Sequence, residues 1–318
     1  MRPMARYLVT GGAGFIGSHI AAALVARGER VRVLDDLSSG REENLAGLGG
    51  VELLRGDVTD AAACAAGCEG VAGVFHEAAQ VSVPKSVEAP GRSYEINVMG
   101  TLRLLEAARA AGVGRFVFAA SSAAYGETET LPKVETMPPD PRSPYASGKV
   151  AGEHLLKVWG QVYGMRTVAL RYFNVFGPRQ ADDSPYTGVI AIFCRALLEG
   201  RRATIYGDGE QTRDFTFVDD VVAANLRALD ARLLPGTLCN VGSGERTSIN
   251  TLYREISDIL GTKHEPIYAL ERTGDVRHSQ ASLERARELL DWRPAVSFRA
   301  GLETTVAWYR ERFESATR

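Results

Sequence analysis

The chain has 318 residues, of which 45% are hydrophobic and 24% charged, and its formal net charge is -2. That length accommodates one large or two ordinary domains with a substantial core. The near-neutral charge gives no reason to expect a nucleic acid or an anionic membrane as partner, and no apolar run reaches the length of a membrane span.

The sequence enters an apolar strand within a few residues, so no signal peptide is expected. Strands are predicted at "RYLVTGG", "RVRVLDD", "VELLRGD", "GVFHEAA", "RFVFAASS" and "TVALRYFNVFG", with helices at about 15–28, 97–111 and 146–163. Alternation of apolar strands with helices implies an α/β fold, a Rossmann-type doubly wound parallel sheet covered on both faces. After "FNVFGP" the pattern changes to shorter mixed elements. A boundary is therefore expected near residue 178, with a dinucleotide-binding domain over 1–178 and a smaller mixed α/β substrate domain over 179–318. Segments near 214–245 are expected to return to the first domain. Cys64 and Cys68 lie in an alanine-rich stretch without nearby histidines, so no metal site is expected. With Cys194 and Cys239 they read as reduced thiols, mostly buried, in a cytoplasmic protein.

The first strand runs into "TGGAGFIGSH", a glycine-rich turn that opens a helix. Gly11 suits the tight turn, Gly14 the close approach of a pyrophosphate, and Gly17 the packing of helix on strand. The pyrophosphate would rest on backbone N–H groups at the helix start, Phe15 and Ile16. Asp35 ends the second strand, where a carboxylate accepts hydrogen bonds from ribose hydroxyls and repels a 2′-phosphate. That favours NAD over NADP, with Asp36 as a second candidate. Asp57 and Val58 after the third strand would border the adenine. Ala78 and Ala79 after the fourth would let the cofactor lie close to the backbone.

The fifth strand ends in Ser121 and Ser122, where ligands sit in open parallel sheets. "SPYASGK" follows, with Tyr145 and Lys149 four apart on one helix face. An ordinary helix start, with Ser143 as cap and Pro144 in the first turn, also explains this stretch. An ammonium beside a phenol, however, favours the phenolate, and a tyrosine with an ordinary pKa of about 10 needs such help to act as a base.

The combination of "TGGAGFIGSH", "LDDLSSG", "GDVTD", "HEAAQVSVPKS", "NVMGTLRLLEAA", "AASSAAYGE", "YASGK", "RYFNVFGPRQ", "YGDGEQTRDFTFVDDVV" and "GDVRHSQAS" resembles the extended short-chain dehydrogenase/reductase family. Within it, the UDP-sugar 4-epimerases are most similar, over nearly the full chain. The resemblance implies NAD held tightly and reduced only transiently, and homodimers packed through helices near 97–111 and 146–163. It implies that Tyr145 takes the proton from the hydroxyl on sugar carbon 4, that Lys149 lowers the phenol's pKa and holds the nicotinamide ribose, and that Ser121, assisted or replaced by Ser122, bonds the developing ketone. Dehydratases of the family carry an Asp–Glu pair after this serine. Here Ser122 and Ala123 stand there, and neither can do that proton work.

On the substrate side the resemblance implies Asn174 for a phosphate or sugar hydroxyl, Arg213 and Arg272 for the diphosphate, Asp275 for the uridine ribose, and Tyr206 for stacking on uracil. Ser82 is a further substrate contact. Ser279 falls where the family bounds the pocket beside sugar position 2, and a small residue there admits an N-acetyl group. The expected activity is interconversion of UDP-N-acetylglucosamine and UDP-N-acetylgalactosamine, with UDP-glucose and UDP-galactose as further substrates. A UDP-glucuronic acid 4-epimerase, with Ser82 and Arg179 meeting the carboxylate, stays open. So do a nucleotide-sugar dehydratase or oxidoreductase on the same fold and a non-catalytic NAD-sensing module.

Overall fold

The computed structural model describes residues 4–181, 188–271 and 276–317. In chain order the first half builds β1 (Arg6–Thr10), α1 (Phe15–Ala26), β2 (Arg30–Asp35), β3 (Val51–Arg55), α2 (Ala61–Cys68), β4 (Gly73–His76), α3 (Val83–Glu88), α4 (Pro90–Tyr94), α5 (Thr101–Ala110), β5 (Arg115–Ser121), α6 (Pro144–Tyr163) and β6 (Arg166–Tyr172). The rest builds β7 (Asn174–Phe176), α7 (Val189–Leu198), β8 (Thr204–Tyr206), β9 (Thr212–Arg213), β10 (Phe215–Phe217), α8 (Val218–Asp230), β11 (Thr237–Val241), β12 (Thr247–Ser248), α9 (Ile249–Leu260), β13 (Ile267–Ala269), α10 (Glu284–Leu290) and α11 (Phe298–Thr317).

Seven strands form one sheet in the order β11-β6-β5-β4-β1-β2-β3, and every pairing in it is parallel. Both faces are covered, as a parallel sheet with helical crossovers requires. Alternation along β1 shows this directly. Tyr7 and Val9 join the core with Ile20 and Leu24 of α1 and Val221 and Ala224 of α8. Leu8 joins the opposite core with Cys64 of α2, Leu104 and Leu105 of α5 and Leu156 of α6. Strand order reverses between β1 and β4, and such a switch point opens a crevice at the carboxyl ends of the strands. β11 lies beside β6 and α8 packs on α1, so this late part of the chain belongs to the first sheet.

A third core sits under the short strands. Phe176, Phe193, Phe215, Phe217, Leu252, Tyr253 and Leu302 fill it between α7, α9 and α11. Phe176 meets Phe215, Phe217 and Phe298 edge-on at centroid distances of 6.3, 5.6 and 5.7 Å. Such rings add specific geometry to a large apolar burial. No helix among the described residues is long and apolar enough to cross a membrane.

Two elements differ from the sequence expectation. The run "TVALRYFNVFG" is not one strand. At Phe173 the backbone leaves β11 for a new partner: Phe173 N–H donates to Val241 O, and Asn174 N–H donates to Asp214 O, both at 3.0 Å. β7 then pairs with β10 in a separate sheet. The helix expected at 97–111 opens instead with one π-turn, Glu95–Gly100. There Asn97 is clamped to the loop after β4, accepting from Gln80 N–H at 2.9 Å and donating to Gln80 O at 3.1 Å.

Candidate active site

The glycine turn links β1 to α1 at the switch point. Gly11 has φ +65°, and a Cβ there would lie 2.7 Å from Ala78 N. A Cβ on Gly17 would lie 2.3 Å from Gly11 O. Neither place accepts a side chain without moving backbone. Gly14 is the N-cap of α1 and has no side-chain capping bond. The first N–H groups of α1, including those of Phe15 and Ile16, are thus left for a ligand. Ala78 N–H donates to Thr10 Oγ1 at 3.2 Å, which ties the end of β4 to the turn; Ala79 follows, half-buried.

Asp35 is buried, and its carboxylate accepts from the N–H groups of Ala13 and Leu37 at 2.9 Å each. Burial pushes its pKa up against these bonds. Asp36 has a different part. It is exposed and accepts from Ser38 N–H and Oγ, so it builds the turn after β2. Asp57 accepts from Thr59 N–H at 2.9 Å and from Arg92 at 2.7 Å. Val58 is buried and packs tightly against Gly100. The uncapped α1, the crowded glycine turn and the buried Asp35 carboxylate beside it are the groups a dinucleotide needs, and the residues present fit NAD.

The turn opens on a cavity of about 330 Å³ between the sheet and the third core. Phe15 and Ile16 line it on one side, with Glu77, Ala119, Ser121, Tyr145 and Lys149 around its floor. Asn174, Phe176, Gln180, Val189 and Phe215 close the other side. α6 delivers Tyr145 and Lys149 because Ser143 caps it, accepting from Ala146 N–H at 3.1 Å, and Pro144 fixes its first turn. Ser121, at the end of β5, lines the same cavity wall as Tyr145, and its hydroxyl favours ionisation of that phenol. Its oxygen also accepts from Ala123 N–H at 3.2 Å. Ser122 begins the following turn and is not part of the cavity wall.

Lys149 is tied to the neighbouring strand. Its Nζ donates to Ala119 O at 2.7 Å and sits 4.9 Å from the centre of the Phe118 ring. Burial raises the Tyr145 phenol above its ordinary value, and the Ser121 bond opposes that rise. In the chain by itself it is therefore Ser121 that favours the phenolate. Burial also pushes the Lys149 ammonium down, while Glu77 and then Glu153 hold it up.

Glu77 was not among the residues singled out from the sequence. The signal was a carboxylate at the end of an otherwise apolar strand, "GVFHEAA". Tyr172, from the end of β6, donates to Glu77 Oε1 at 2.9 Å and accepts from Asn225 Nδ2 at 2.7 Å. Beneath the site Arg171, itself buried, makes a two-pronged bond to Glu153, with both contacts at 2.7 Å.

None of the remaining expected substrate residues among those described lines the cavity. Arg213 in β9 donates to Thr212 O at 2.9 Å. Ser279 N–H donates to Thr212 O at 3.2 Å, and its Oγ accepts from Asp214 N–H at 3.4 Å. Arg213 and Ser279 are thus neighbours, each next to a partner in the isolated bridge between Thr212 and His278. Tyr206 ends β8 at 36% exposure, and its carbonyl accepts from Gln211 at 2.8 Å. Ser82 caps α3, accepting from Lys85 N–H at 3.2 Å, so its hydroxyl has a structural partner. Arg179 has φ +67° and donates to Ser18 Oγ at 3.3 Å, which turns it toward α1. Arg272 and Asp275 lie outside the described residues. Among those residues no cluster of His, Cys, Asp and Glu could hold a metal ion.

Residues 7–242 match the family described as "NAD dependent epimerase/dehydratase family". The chain is 44% identical over 312 residues to the UDP-glucose 4-epimerase of Mycolicibacterium smegmatis, covering 96% of this chain and 99% of that one. It superposes with a TM-score of 0.93 and 38% identity on the UDP-N-acetylglucosamine 4-epimerase from Methanobrevibacter ruminantium, solved with UDP-N-acetylmuramic acid, covering 97% of this chain and 99% of that one. The Thermus thermophilus UDP-glucose 4-epimerase, solved with NAD, gives a TM-score of 0.87 at 42% identity, covering 96% of this chain and 99% of that one. With a family match across most of its length and relatives this similar end to end, the chain belongs to the NAD-dependent epimerase/dehydratase family.

Proposed function

We propose that the protein inverts the configuration at carbon 4 of UDP-sugars. The observation that carries this reading is the meeting of Ser121, Tyr145 and Lys149 in one cavity, directly in front of the uncapped start of α1. NAD, held by the glycine turn, the start of α1 and Asp35, would supply a reversible hydride acceptor. The residues of the chain do the rest. Tyr145 takes the proton of the carbon-4 hydroxyl, and Ser121, in the same cavity wall, steadies the oxygen as it becomes a ketone. In this reading Lys149, held on Ala119 O, supplies its charge to the phenol once the cofactor is in place and holds the nicotinamide ribose. Asp35 accepts from the adenosine ribose. The 4-keto sugar turns over about its diphosphate, and Tyr145 gives its proton back once the other face is presented. Ser122 and Ala123 leave no acid or base for removal of water, which favours inversion over dehydration.

The substrate pair we favour is UDP-N-acetylglucosamine and UDP-N-acetylgalactosamine, with UDP-glucose and UDP-galactose also turned over. The support is Ser279, a small residue beside Arg213. Arg213 grips the diphosphate in this reading, Asn174 a sugar hydroxyl or phosphate, and Tyr206 the uracil. A cytoplasmic homodimer is part of the proposal. Exposed Val158, Val162 and Tyr163 on α6 and Met99 before α5 give two helices an apolar face suited to a second copy.

The test is incubation with UDP-N-acetylglucosamine, UDP-glucose and UDP-glucuronic acid separately, with products resolved by proton NMR. Carbon-4 epimers of the first two are expected, without net reduction of NAD. A stable 4-keto product or loss of the carboxylate from the third would reject the reading.

A further inference from the structure

Lys149 is only 3% exposed, and burial works against its charge. An ammonium that is to support a phenolate must keep its proton in this setting. The groups facing it come from the elements packed around it. Tyr145 and Glu153 come from α6, and Ser121 and the Ala119 carbonyl from β5. Tyr172 and Arg171 come from β6, and His76 from the end of β4, followed directly by Glu77. His76 is held neutral between Thr10 Oγ1 at 2.8 Å and Thr101 Oγ1 at 2.9 Å, its pKa pushed down to about 3 by burial. Glu153 is committed to Arg171 through both of its oxygens. Among the described residues that leaves Glu77 as the carboxylate that shares the cavity with Lys149 and whose charge favours the ammonium.

The position of Glu77 is built. Asn225 of α8 donates to Val221 O at 2.9 Å and to the Tyr172 hydroxyl at 2.7 Å. Tyr172 in turn donates to Glu77 Oε1 at 2.9 Å. Tyr172 is buried and Asn225 is fully buried, so the chain of bonds from α8 to the cavity floor has little freedom. Burial pushes the Glu77 carboxyl up to about 7, and the Tyr172 bond and then Lys149 oppose that rise by favouring the ionised form, the form that can hold a cation.

We propose that Glu77, fixed by Tyr172 and Asn225, is a positioning residue that keeps the buried Lys149 ammonium charged and so widens the pH range over which the Tyr145–Lys149 pair works. This deepens the epimerase reading and rests on it for the catalytic consequence only. The charge state of Lys149 can be read without any substrate.

The test uses the full chain with lysines labelled with ¹³C at Cε. The sequence has five lysines, Lys85, Lys133, Lys149, Lys157 and Lys263, so the resonances are few, and Lys149→Arg identifies the one of interest. Glu77→Gln keeps an acceptor for Tyr172 and removes only the charge. The expected result is a fall of the Lys149 titration midpoint by about one unit or more. The alkaline limb of the kcat/KM profile for UDP-N-acetylglucosamine should move to lower pH with it. Tyr172→Phe, which removes the bond that favours the ionised carboxylate, should lower the midpoint by a smaller amount, and it serves where Glu77→Gln does not fold. A Lys149 midpoint unmoved in the folded variant, with kcat/KM merely reduced at all pH, makes Glu77 a structural residue and overturns the proposal. A wild-type protein that inverts no sugar while the midpoint still shifts rejects the epimerase reading and leaves the pairing of Glu77 with Lys149 standing.

Discussion

The Ser121 hydroxyl and the Tyr145 phenol line one cavity, the first from the end of β5 and the second from the start of α6, and the hydroxyl favours ionisation of the phenol. One side chain is set by a strand and the other by a capped helix, so the pair is held by two rigid elements rather than by a loop. Removing that hydroxyl leaves a buried phenol without the group that favours its ionisation. Ser121→Ala should lower kcat by about tenfold to a thousandfold with NAD still bound. Ser122→Ala, altering a hydroxyl outside the cavity wall, should lower it far less. Steady-state kinetics with each variant separates the two serines.

Gly17 tests the cofactor turn. An added methyl would lie 2.3 Å from Gly11 O, and both partners are backbone. Gly17→Ala should destabilise the fold by about 1–3 kcal/mol and abolish the rise in melting temperature on adding NAD. A variant that keeps the NAD-dependent rise would show that the turn accommodates the methyl.

His76 gives a pH dependence of stability. Its folded pKa is depressed to about 3 by burial, from an ordinary 6.5. The unfolded chain therefore binds the additional proton between these values. Its contribution is fully present above about 6.5 and is lost as pH falls toward 3, by up to about 1.4 kcal/mol per pH unit. His76→Leu should be less stable at pH 7, because the Thr10 and Thr101 bonds go, yet its urea midpoint should fall less steeply on acidification. Parallel pH curves for the two proteins would contradict this.

Ser279 tests the sugar gate. It sits against Thr212 and Asp214, next to Arg213. Ser279→Tyr fills that space. Activity on the N-acetylated substrate should fall at least about tenfold more than activity on UDP-glucose, since imposed clashes discriminate more strongly than removed contacts. Equal losses on both would move the gate elsewhere.

Much of the fold was legible because its signals are local. Six apolar runs bounded by turns and the glycine motif before α1 specify a parallel sheet. Ser143, Pro144, Tyr145 and Lys149 announce one helix and one face of it. What was not legible depends on contacts between distant parts of the chain. Tyr172 and Glu77 are 95 positions apart, and Tyr172 and Asn225 are 53 apart. No pattern within either segment tells that they meet. The break between β6 and β7 has the same origin, since Phe173 turns where β11 ends and Asp214 offers a new partner. Asp36 stood as a second candidate behind Asp35 in sequence, and burial separates the carboxylate at the cofactor turn from the one that shapes the loop.

The central claim, that Tyr145 moves the proton of the carbon-4 hydroxyl, is tested most directly by proton NMR of UDP-N-acetylglucosamine with NAD-loaded wild type and Tyr145→Phe. The wild type should build up the carbon-4 epimer to equilibrium, and the phenylalanine variant should retain NAD yet turn over at least about a thousandfold more slowly. Undiminished inversion by that variant would contradict the account.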